Sequence, residues 1–556
     1  MRCRPVLIVV ASLFTACVGL IEDPADRDPG TNPDPGSGPG PGPGPNPDST
    51  SPPVTARLRR LTFAQYDLSV RELTGVDMTP STAFGPEVDG VNPTLWTGVQ
   101  DAAAAVAEAV VADADRLSTL VLCTPSGDGL DCAVQFVTEF GRKVYRRPLT
   151  PVEISAYMDT LWANRTDLTE DGTWPQSIGL LLEAMLQSPT FLLRVEASTQ
   201  EDGGRIALNG YERATRIAYA LWNSPPDEAL LNAARDGELD TPQGVKAIAR
   251  TMLTSPQGAA RARQMLREAH AEWLGMTGAY APFWSNTQRD PERFPDFVSG
   301  IDADFREEVL RFLDVVAFER VGAFPDFLTS NVTSVNARVA PIYGLDGTFD
   351  DWTTVELDDR PGLLTRAGFV GTHGRFGRGS LIYRGAFVLE RMLCVEIGSP
   401  PAGADATPLP DSSENLVTER QRVQAMTAAE PCASCHTSLI NPAGFALEAF
   451  DGIGKLRTID NGAPVDTTGS LMIDGELVSF SGPNDYATAL AASKQAAECY
   501  MERFTEFTFG AEGVRLEGKD GRLAHMLSDP NTSLIDFFVE LVADDNFLYR
   551  ATEEAP

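Results

Sequence analysis

Apolar residues recur along most of the chain at the spacing of an α-helix. Ile217, Ala220 and Leu221 fall on one helical face, as do Val309 and Phe312 with the apolar positions that follow them. Such stripes predict helices that bury one face in a core. The alternation of apolar and polar residues that is typical of a strand is found chiefly in 471–480. The pattern therefore predicts a mainly α, multi-domain helical body.

Local signals indicate where several helices begin. Thr62-Phe63-Ala64-Gln65 and Thr150-Pro151-Val152-Glu153 both have the residues of a capping box. Gly75 is suited to end the first of these helices. Further helices are predicted from Ser224-Pro225-Pro226-Asp227, from Thr241-Pro242, and as one continuous element over Asp101–Leu122.

The first 17 residues have the pattern of an export signal. A short basic start precedes the apolar run Val6–Ala16, which is too short to span a bilayer as a stable helix. Leu13–Cys17 resembles a bacterial lipobox, and this resemblance implies that Cys17 becomes the lipidated N-terminus. Secretion with cleavage nearby is the alternative. We expect an exported protein that is lipid-anchored at the cell envelope, and Val18 favours the outer membrane.

Residues 18–56 are rich in proline and glycine and predict a disordered tether, because this composition cannot bury enough apolar surface to fold. The whole chain carries a formal net charge of −33. Nucleic acids and anionic lipid surfaces would repel such a chain. We therefore expect no nucleic-acid partner, and contact with a membrane only through the N-terminal lipid.

Cys432-Ala433-Ser434-Cys435-His436 is the strongest chemical signal. Two thiols three residues apart, followed at once by a histidine, form the c-type haem attachment pattern. Each thiol can bond to one haem vinyl group, and His436 can bind the iron as the proximal ligand. Two alternatives stay open: a disulfide between Cys432 and Cys435, or a zinc site, which would need about four ligands.

The other cysteines can be allotted to disulfides. Cys123 and Cys132 flank a turn-rich loop that a local disulfide could close in an oxidising compartment. By elimination, Cys394 and Cys499 remain. Their pairing would close a long loop around the haem attachment pattern.

A low-spin electron-transfer haem usually has a second axial ligand. Met472 is the candidate distal ligand, because it sits in a turn-rich segment, whereas Met501 lies in a helical pattern and is expected in a core. His373, in a predicted loop, could reach the iron from a distance, and five-coordinate iron is the alternative. We expect the Pro442 carbonyl to orient His436. The other two histidines lie in helical patterns and are expected to be ordinary core or surface residues.

Five landmarks follow one another between residues 57 and 550: Arg59-Arg60-Leu61-Thr62, Tyr145–Leu149, Arg216–Trp222, Arg384-Gly385 and Cys432–Gly454. Their order resembles a family of large secreted bacterial proteins that are built from serial domains of unknown function, the planctomycete-type cytochrome-c-like proteins. The resemblance implies a cytochrome-c-like C-terminal segment. Some members are associated with polysaccharide.

Motifs and changes in composition predict five regions after the signal and the tether: 57–118, 119–200 with the Y-R-R-P-L segment, 201–350, 351–460 carrying C-x-x-C-H, and 461–556.

The sequence thus favours a cell-envelope lipoprotein with one covalently bound haem c. It would act in electron transfer, or as a haem-bearing subunit of an unknown redox partner or envelope protein. The alternative is a non-haem protein that acts in surface binding or as a scaffold, for which polysaccharide is a candidate partner, with Cys432 and Cys435 joined as a disulfide. The chain has no G-x-S-x-G, H-E-x-x-H or glycine-rich phosphate loop, so a hydrolase is disfavoured and no catalytic residue is indicated.

Overall fold

The computed structural model describes residues 58–86, 90–277, 284, 288–375, 377–398, 409–509 and 522–552. The export signal, Cys17 and the tether of 18–56 lie outside these residues. Helices make up 57 % of the chain and the strands are few and short, which confirms the mainly α class.

The chain divides into two compact units. The first contains the residues up to Val245 together with those from Asp545 onward, and the second is Lys246–Asp544. This grouping does not test the five regions expected from the sequence, which stay predictions.

Side-chain caps begin the helices of the first unit. The Gln65 amide N–H donates to Thr62 Oγ1 at 3.1 Å, and Gln65 Oε1 accepts from the Thr62 N–H at 3.2 Å. Gly75 ends this helix with φ +67°, a conformation that glycine adopts without strain. Thr150 and Glu153 form the second capping box. The helical segments of the first unit are Phe63–Thr74, Pro80–Ala83, Pro93–Val111, Ala114–Leu120, Leu130–Val144, Pro151–Ser155, Ala156–Trp162, Arg165–Leu168, Trp174–Leu186, Pro189–Leu192, Gly210–Trp222, Glu228–Arg235 and Asp545–Leu548.

The helix expected over Asp101–Leu122 differs from this expectation. It begins earlier, ends at Val111, and a second helix follows from Ala114. The break occurs because the backbone of Asp113 is extended at a new N-terminus, where the Asp113 side chain accepts the Arg116 N–H at 3.0 Å. A short polar residue that caps a helix thus interrupts an otherwise apolar run.

Two small antiparallel sheets accompany the helices of the first unit. Leu58–Arg60 pairs with Leu193–Val195, and Arg205–Ala207 lies between Glu201–Asp202 and Tyr549–Ala551. A continuous core of side chains, with Tyr66, Val99, Phe136 and Leu181 buried in it, joins the helices between Phe63 and Leu192.

The second unit is also built mainly from helices. The helix predicted from Thr241-Pro242 is present, and so is the helix predicted from the apolar stripe over 309–316. Val309 and Phe312, which belong to that stripe, are buried. The helical segments are Pro242–Thr254, which contains the unit boundary, Pro256–Trp273, Ile301–Asp314, Val315–Glu319, Asp326–Thr329, Ala340–Tyr343, Leu363–Thr365, Ala367–Thr372, Leu381–Phe387, Val388–Met392, Glu419–Met426, Cys432–Cys435, His436–Ile440, Asn441–Phe445, Ala446–Ala449, Pro483–Ala491, Lys494–Phe509, Arg522–Ser528 and Leu534–Val542.

Three hairpins complete the second unit. The alternating segment forms the longest, Thr468–Ile473 paired with Glu476–Ser481, and its turn residues Asp474 and Gly475 both have positive φ. This is the geometry that two-residue hairpins favour. The other two hairpins are Val332–Val335 with Thr353–Glu356, and Ile459–Asp460 with Ala463–Pro464.

Candidate functional site

The cysteine-histidine motif lies on a single turn of helix. Cys432–Cys435 forms the turn, His436–Ile440 continues it as a wider π-helical turn, and Asn441–Phe445 follows as α-helix. Side chains three and four residues apart on a helix share one face. Cys432, Cys435 and His436 therefore point to the same side.

Both motif cysteines are free thiols, and both are partly exposed. The other four cysteines among the described residues are joined in the two pairs expected from the sequence, Cys123 with Cys132 and Cys394 with Cys499. His436 is also partly exposed. Two accessible thiols and an imidazole on one face are the donor set that covalent attachment of a haem requires.

The His436 ring is held by a side chain rather than by the backbone. Its Nδ1 lies 3.1 Å from Oδ1 of Asn441, which is only 3 % exposed. The expectation that the Pro442 carbonyl fills this role is wrong. Pro442 lies inside a helix, so its carbonyl points along the axis toward the C-terminus, away from His436.

Two close helix crossings position this segment. A Cβ atom on Gly385 would overlap the carbonyl oxygen of Ile440, and one on Gly444 would overlap that of Leu381. Helix Leu381–Phe387 therefore packs backbone to backbone against the helix that follows His436. Only glycine allows so close an approach.

The Arg384 guanidinium secures the end of the same segment. It is fully buried and donates to four backbone carbonyls, those of Val370 at 2.8 Å, Leu447 at 2.8 Å, Phe450 at 2.8 Å and Asp451 at 2.6 Å. The Arg384-Gly385 landmark thus contacts Phe450-Asp451 through the Arg384 side chain, and this contact fixes the chain around the motif.

Family models match three parts of the chain. Residues 132–196 match PSD5, a protein of unknown function (DUF1595), 208–345 match PSD4, a protein of unknown function (DUF1592), and 360–460 match PSCyt3, a protein of unknown function (DUF1588). The chain belongs to the planctomycete-type cytochrome-c-like series of serial domains. The PSCyt3 domain is the cytochrome-c-like member of this series, and it contains the whole motif. No curated protein and no solved structure matches the chain.

Buried carboxylates anchor the neighbouring helix of the PSCyt3 domain. The amide of Glu419 donates to Asp460 at 2.7 Å, and that of Arg420 donates to Glu448 at 3.1 Å. Burial raises the pKa of Glu448. These bonds satisfy first-turn N–H groups, which have no partner within their own helix. They fix helix Glu419–Met426, whose C-terminal end carries Thr427.

His373 lies in the core of the PSCyt3 domain rather than in a loop. It ends helix Ala367–Thr372, its Nδ1 is 2.8 Å from the Phe369 carbonyl, and its ring packs against Phe387 at 5.1 Å between centroids. Burial lowers the pKa of His373 to about 4. The structure gives it an interior packing role.

Met472 lies beyond the PSCyt3 match, on the strand Thr468–Ile473 and not in a turn. Its side chain is 47 % exposed, whereas the flanking Leu471 and Ile473 are buried, so it points to the open face of the hairpin. Met501 is partly buried on helix Lys494–Phe509. The role of Met472 as distal ligand stays a prediction.

The remaining histidines are ordinary residues, as expected. His270 is buried among aromatic rings, with Nε2 2.9 Å from the Tyr500 hydroxyl, and His525 is exposed. Within the described ranges, no group of three or more histidine, cysteine, aspartate or glutamate side chains is placed to hold a metal ion. Nor does any helix in those ranges have the length and apolar character needed to cross a membrane.

Sequence reasoning missed Asn441 and Thr427. The Asn441-Pro442 pair could have indicated the partner of His436, because it follows the motif closely. The prediction chose the Pro442 carbonyl, whereas the partner is the Asn441 side chain. Thr427 carried none, since its contact with Asn441 is made across 14 residues.

Proposed function

We propose that this chain binds one haem c through Cys432 and Cys435, with His436 as the proximal iron ligand, and serves in electron transfer or as a haem-bearing subunit. The observation that carries the proposal is the common face on which two free, accessible thiols and the oriented His436 ring lie. The match to the cytochrome-c-like PSCyt3 domain, which includes the motif, is consistent with it.

The chain's own residues would bind and orient the cofactor. The sulfur atoms of Cys432 and Cys435 would form thioether bonds, and Nε2 of His436 would bind the iron. When bound, a haem supplies one-electron redox chemistry, and its potential is set by the axial ligand, the hydrogen bonds behind that ligand, and burial. Arg384 and the glycine crossings would keep the attached segment rigid.

The proposal includes a location at the cell envelope, where the partner would be a redox protein or another envelope protein. Cys17 would carry the lipid, preferably in the outer membrane, and the tether of 18–56 would hold the body away from the surface. Replacing Cys17 by Ala should move the protein from the membrane fraction to the soluble fraction and abolish labelling by a radioactive fatty acid. Retention of label would show that Cys17 is not the lipidated residue.

Co-expression with a c-type haem maturation system tests the central claim. We expect a Soret band, sharp α and β bands on reduction, and a haem stain that survives a denaturing gel. The double variant Cys432→Ser/Cys435→Ser should lose covalent attachment, each single variant should keep one thioether bond, and His436→Ala should lose the low-spin spectrum. His525→Ala, which removes an exposed histidine of the same unit, is the matched control and should keep the spectrum.

A different result would favour the scaffold alternative. A colourless protein from the same expression, with mass spectrometry showing Cys432 joined to Cys435, would overturn the haem proposal. His436→Ala would then leave the properties of the protein unchanged.

We further propose Met472 as the distal ligand, because its half-exposed side chain is available for coordination. In the haem-loaded protein, Met472→Ala should abolish the weak near-infrared band of methionine-to-iron coordination. Met501→Ala is the control and should retain it. A band that survives in Met472→Ala would remove this residue as a ligand.

A further inference from the structure

We infer that Thr427 and Asn441 form a hydrogen-bond relay that locks His436 in the tautomer with a proton on Nδ1 and a free lone pair on Nε2. The consequence for iron binding rests on the proposed function. The assignment of the tautomer is independent of it.

The relay begins at a group that can only accept. Thr427 follows helix Glu419–Met426, and its hydroxyl donates to the backbone carbonyl of Val423, four residues earlier, at 2.8 Å. A hydroxyl has one proton. Because that proton is engaged by Val423, the Thr427 oxygen faces its other neighbour as an acceptor.

This fixes the amide of Asn441. Nδ2 of Asn441 donates to Thr427 Oγ1 at 2.8 Å. If the Asn441 amide were flipped, its oxygen would face Thr427 Oγ1, whose only proton is already donated to the Val423 carbonyl. Both residues are only 3 % exposed, so water could not satisfy the mismatch. Leaving buried polar groups unpaired is costly.

The orientation of Asn441 in turn decides the state of His436. Oδ1, which can only accept, lies 3.1 Å from His436 Nδ1. In the neutral ring, Nδ1 must therefore carry the proton, and Nε2 is the unprotonated nitrogen, the form that binds a metal. Within the part of the chain that the structure describes, nothing hydrogen-bonds to Nε2.

The group that accepts from His436 Nδ1 is the Asn441 side chain and not a backbone carbonyl. Its charge can therefore be changed by substitution without moving the backbone. Asn441→Asp would place a negative charge behind the proximal ligand and stabilise the ferric state. Asn441 and Thr427 are thus positioning residues for His436, and Asn441 also sets the potential.

The tautomer is measured first, on the full chain expressed without haem maturation and kept reduced. The chain has only four histidines, so His436→Gln assigns the resonance by difference. At mildly alkaline pH, ring ¹⁵N shifts should show the proton of His436 on Nδ1. Thr427→Val should produce a mixture of tautomers, and Thr427→Ser, which restores the hydroxyl, should return the wild-type shifts.

The haem-loaded protein gives the second readout. Asn441→Asp should favour the ferric form by at least tenfold, which is about 59 mV lower for one electron. Thr427→Ser should keep the wild-type potential. A purely structural role would lower stability without this directional change in potential.

The outcomes separate the two proposals. A proton on Nε2 in the wild type, or shifts that are the same in Thr427→Val, would overturn the relay even if haem attaches. The expected shifts in a chain that never attaches haem would uphold the relay and overturn the proposed function. If Thr427→Val fails to fold, the Asn441→Asp potential and the wild-type tautomer still decide the matter.

Discussion

Buried arginines tie backbone segments together inside each unit. In the first unit, Arg146 donates to the carbonyls of Thr190 and Leu193, both at 2.7 Å. In the second, Arg384 holds four carbonyls, and burial lowers its pKa to about 10. Arg384 therefore stays protonated near neutral pH. These two arginines have a structural role, since the N–H groups of each donate to backbone carbonyls of the same chain.

Arg384→Met should lower the free energy of unfolding of the second unit by on the order of 3 kcal/mol, because several buried carbonyls lose their donor. Arg384→Lys should recover little, since one ammonium cannot reach four carbonyls in different directions. Urea denaturation followed by hydrogen exchange in helix Leu381–Phe387 measures both. Arg250→Met, which removes an exposed arginine of the same unit, is the control, and an equal loss there would contradict the argument.

Buried His270 should make the second unit sensitive to acid. Burial lowers the pKa of His270 from 6.5 to about 3. Between these values the unfolded chain binds a proton that the folded chain does not. Stability contributed by the neutral ring is therefore full above about pH 6.5 and falls as the pH drops toward 3.

His270→Phe should reduce the slope of unfolding free energy against pH by about 1.4 kcal/mol per pH unit between roughly pH 4 and 6. Exchange of the amides in helix Pro256–Trp273 reports the unit concerned. His525→Gln is the control for the loss of one histidine, and we expect it to keep the wild-type slope. An unchanged slope in His270→Phe would show that another group dominates the acid response.

At the scale of elements, the crossing of helices Leu381–Phe387 and Asn441–Phe445 determines whether the motif is presented correctly. Gly385→Ala or Gly444→Ala would force a methyl group into a backbone carbonyl. We expect a loss of about 2–3 kcal/mol from overpacking and a lower yield of haem-loaded protein. Gly377→Ala, whose added Cβ would meet no atom within 4 Å, is the matched control. Normal haem yield in both crossing variants would contradict this role.

Local chemistry explains which elements the sequence predicts. The capping boxes at Thr62 and Thr150 depend on residues within a few positions of each other, and both are present. The alternation over 471–480 predicts strand structure but not the turn at Asp474 that divides it into two strands. The break at Asp113 was missed because a capping side chain competed with a longer apolar run. Near neighbours predict an element well, but not always its exact end.

The site divides in the same way. Cys432–His436 is a contiguous pattern, so the sequence shows it directly. The Thr427–Asn441 contact joins side chains that only the packing of two helices brings together. Met472 is expected in a turn-rich segment, whereas cross-strand pairing with Leu477 makes it part of a strand. Contacts of this kind depend on tertiary structure, which periodicity does not encode.

At the scale of the whole molecule, pairing between segments that are distant in sequence determines which residues belong to each unit. Strand Tyr549–Ala551 joins the first unit by pairing with Arg205–Ala207, and Arg216 donates to the Tyr549 carbonyl at 2.9 Å. Nothing in the local pattern of these segments indicates that they meet. The acidic net charge of −33 likewise constrains partners rather than fold.

Among the described residues each unit contains one disulfide, and the two should differ in their contribution to stability. Cys394–Cys499 closes a separation of 105 residues and Cys123–Cys132 one of 9. Since a longer loop restricts the unfolded chain more, replacing both cysteines by Ala should cost about 4–5 kcal/mol in the second unit and about 2.5 kcal/mol in the first. Urea denaturation with unit-specific hydrogen exchange measures each loss. The opposite order would mean that native contacts, rather than loop entropy, determine what each disulfide contributes.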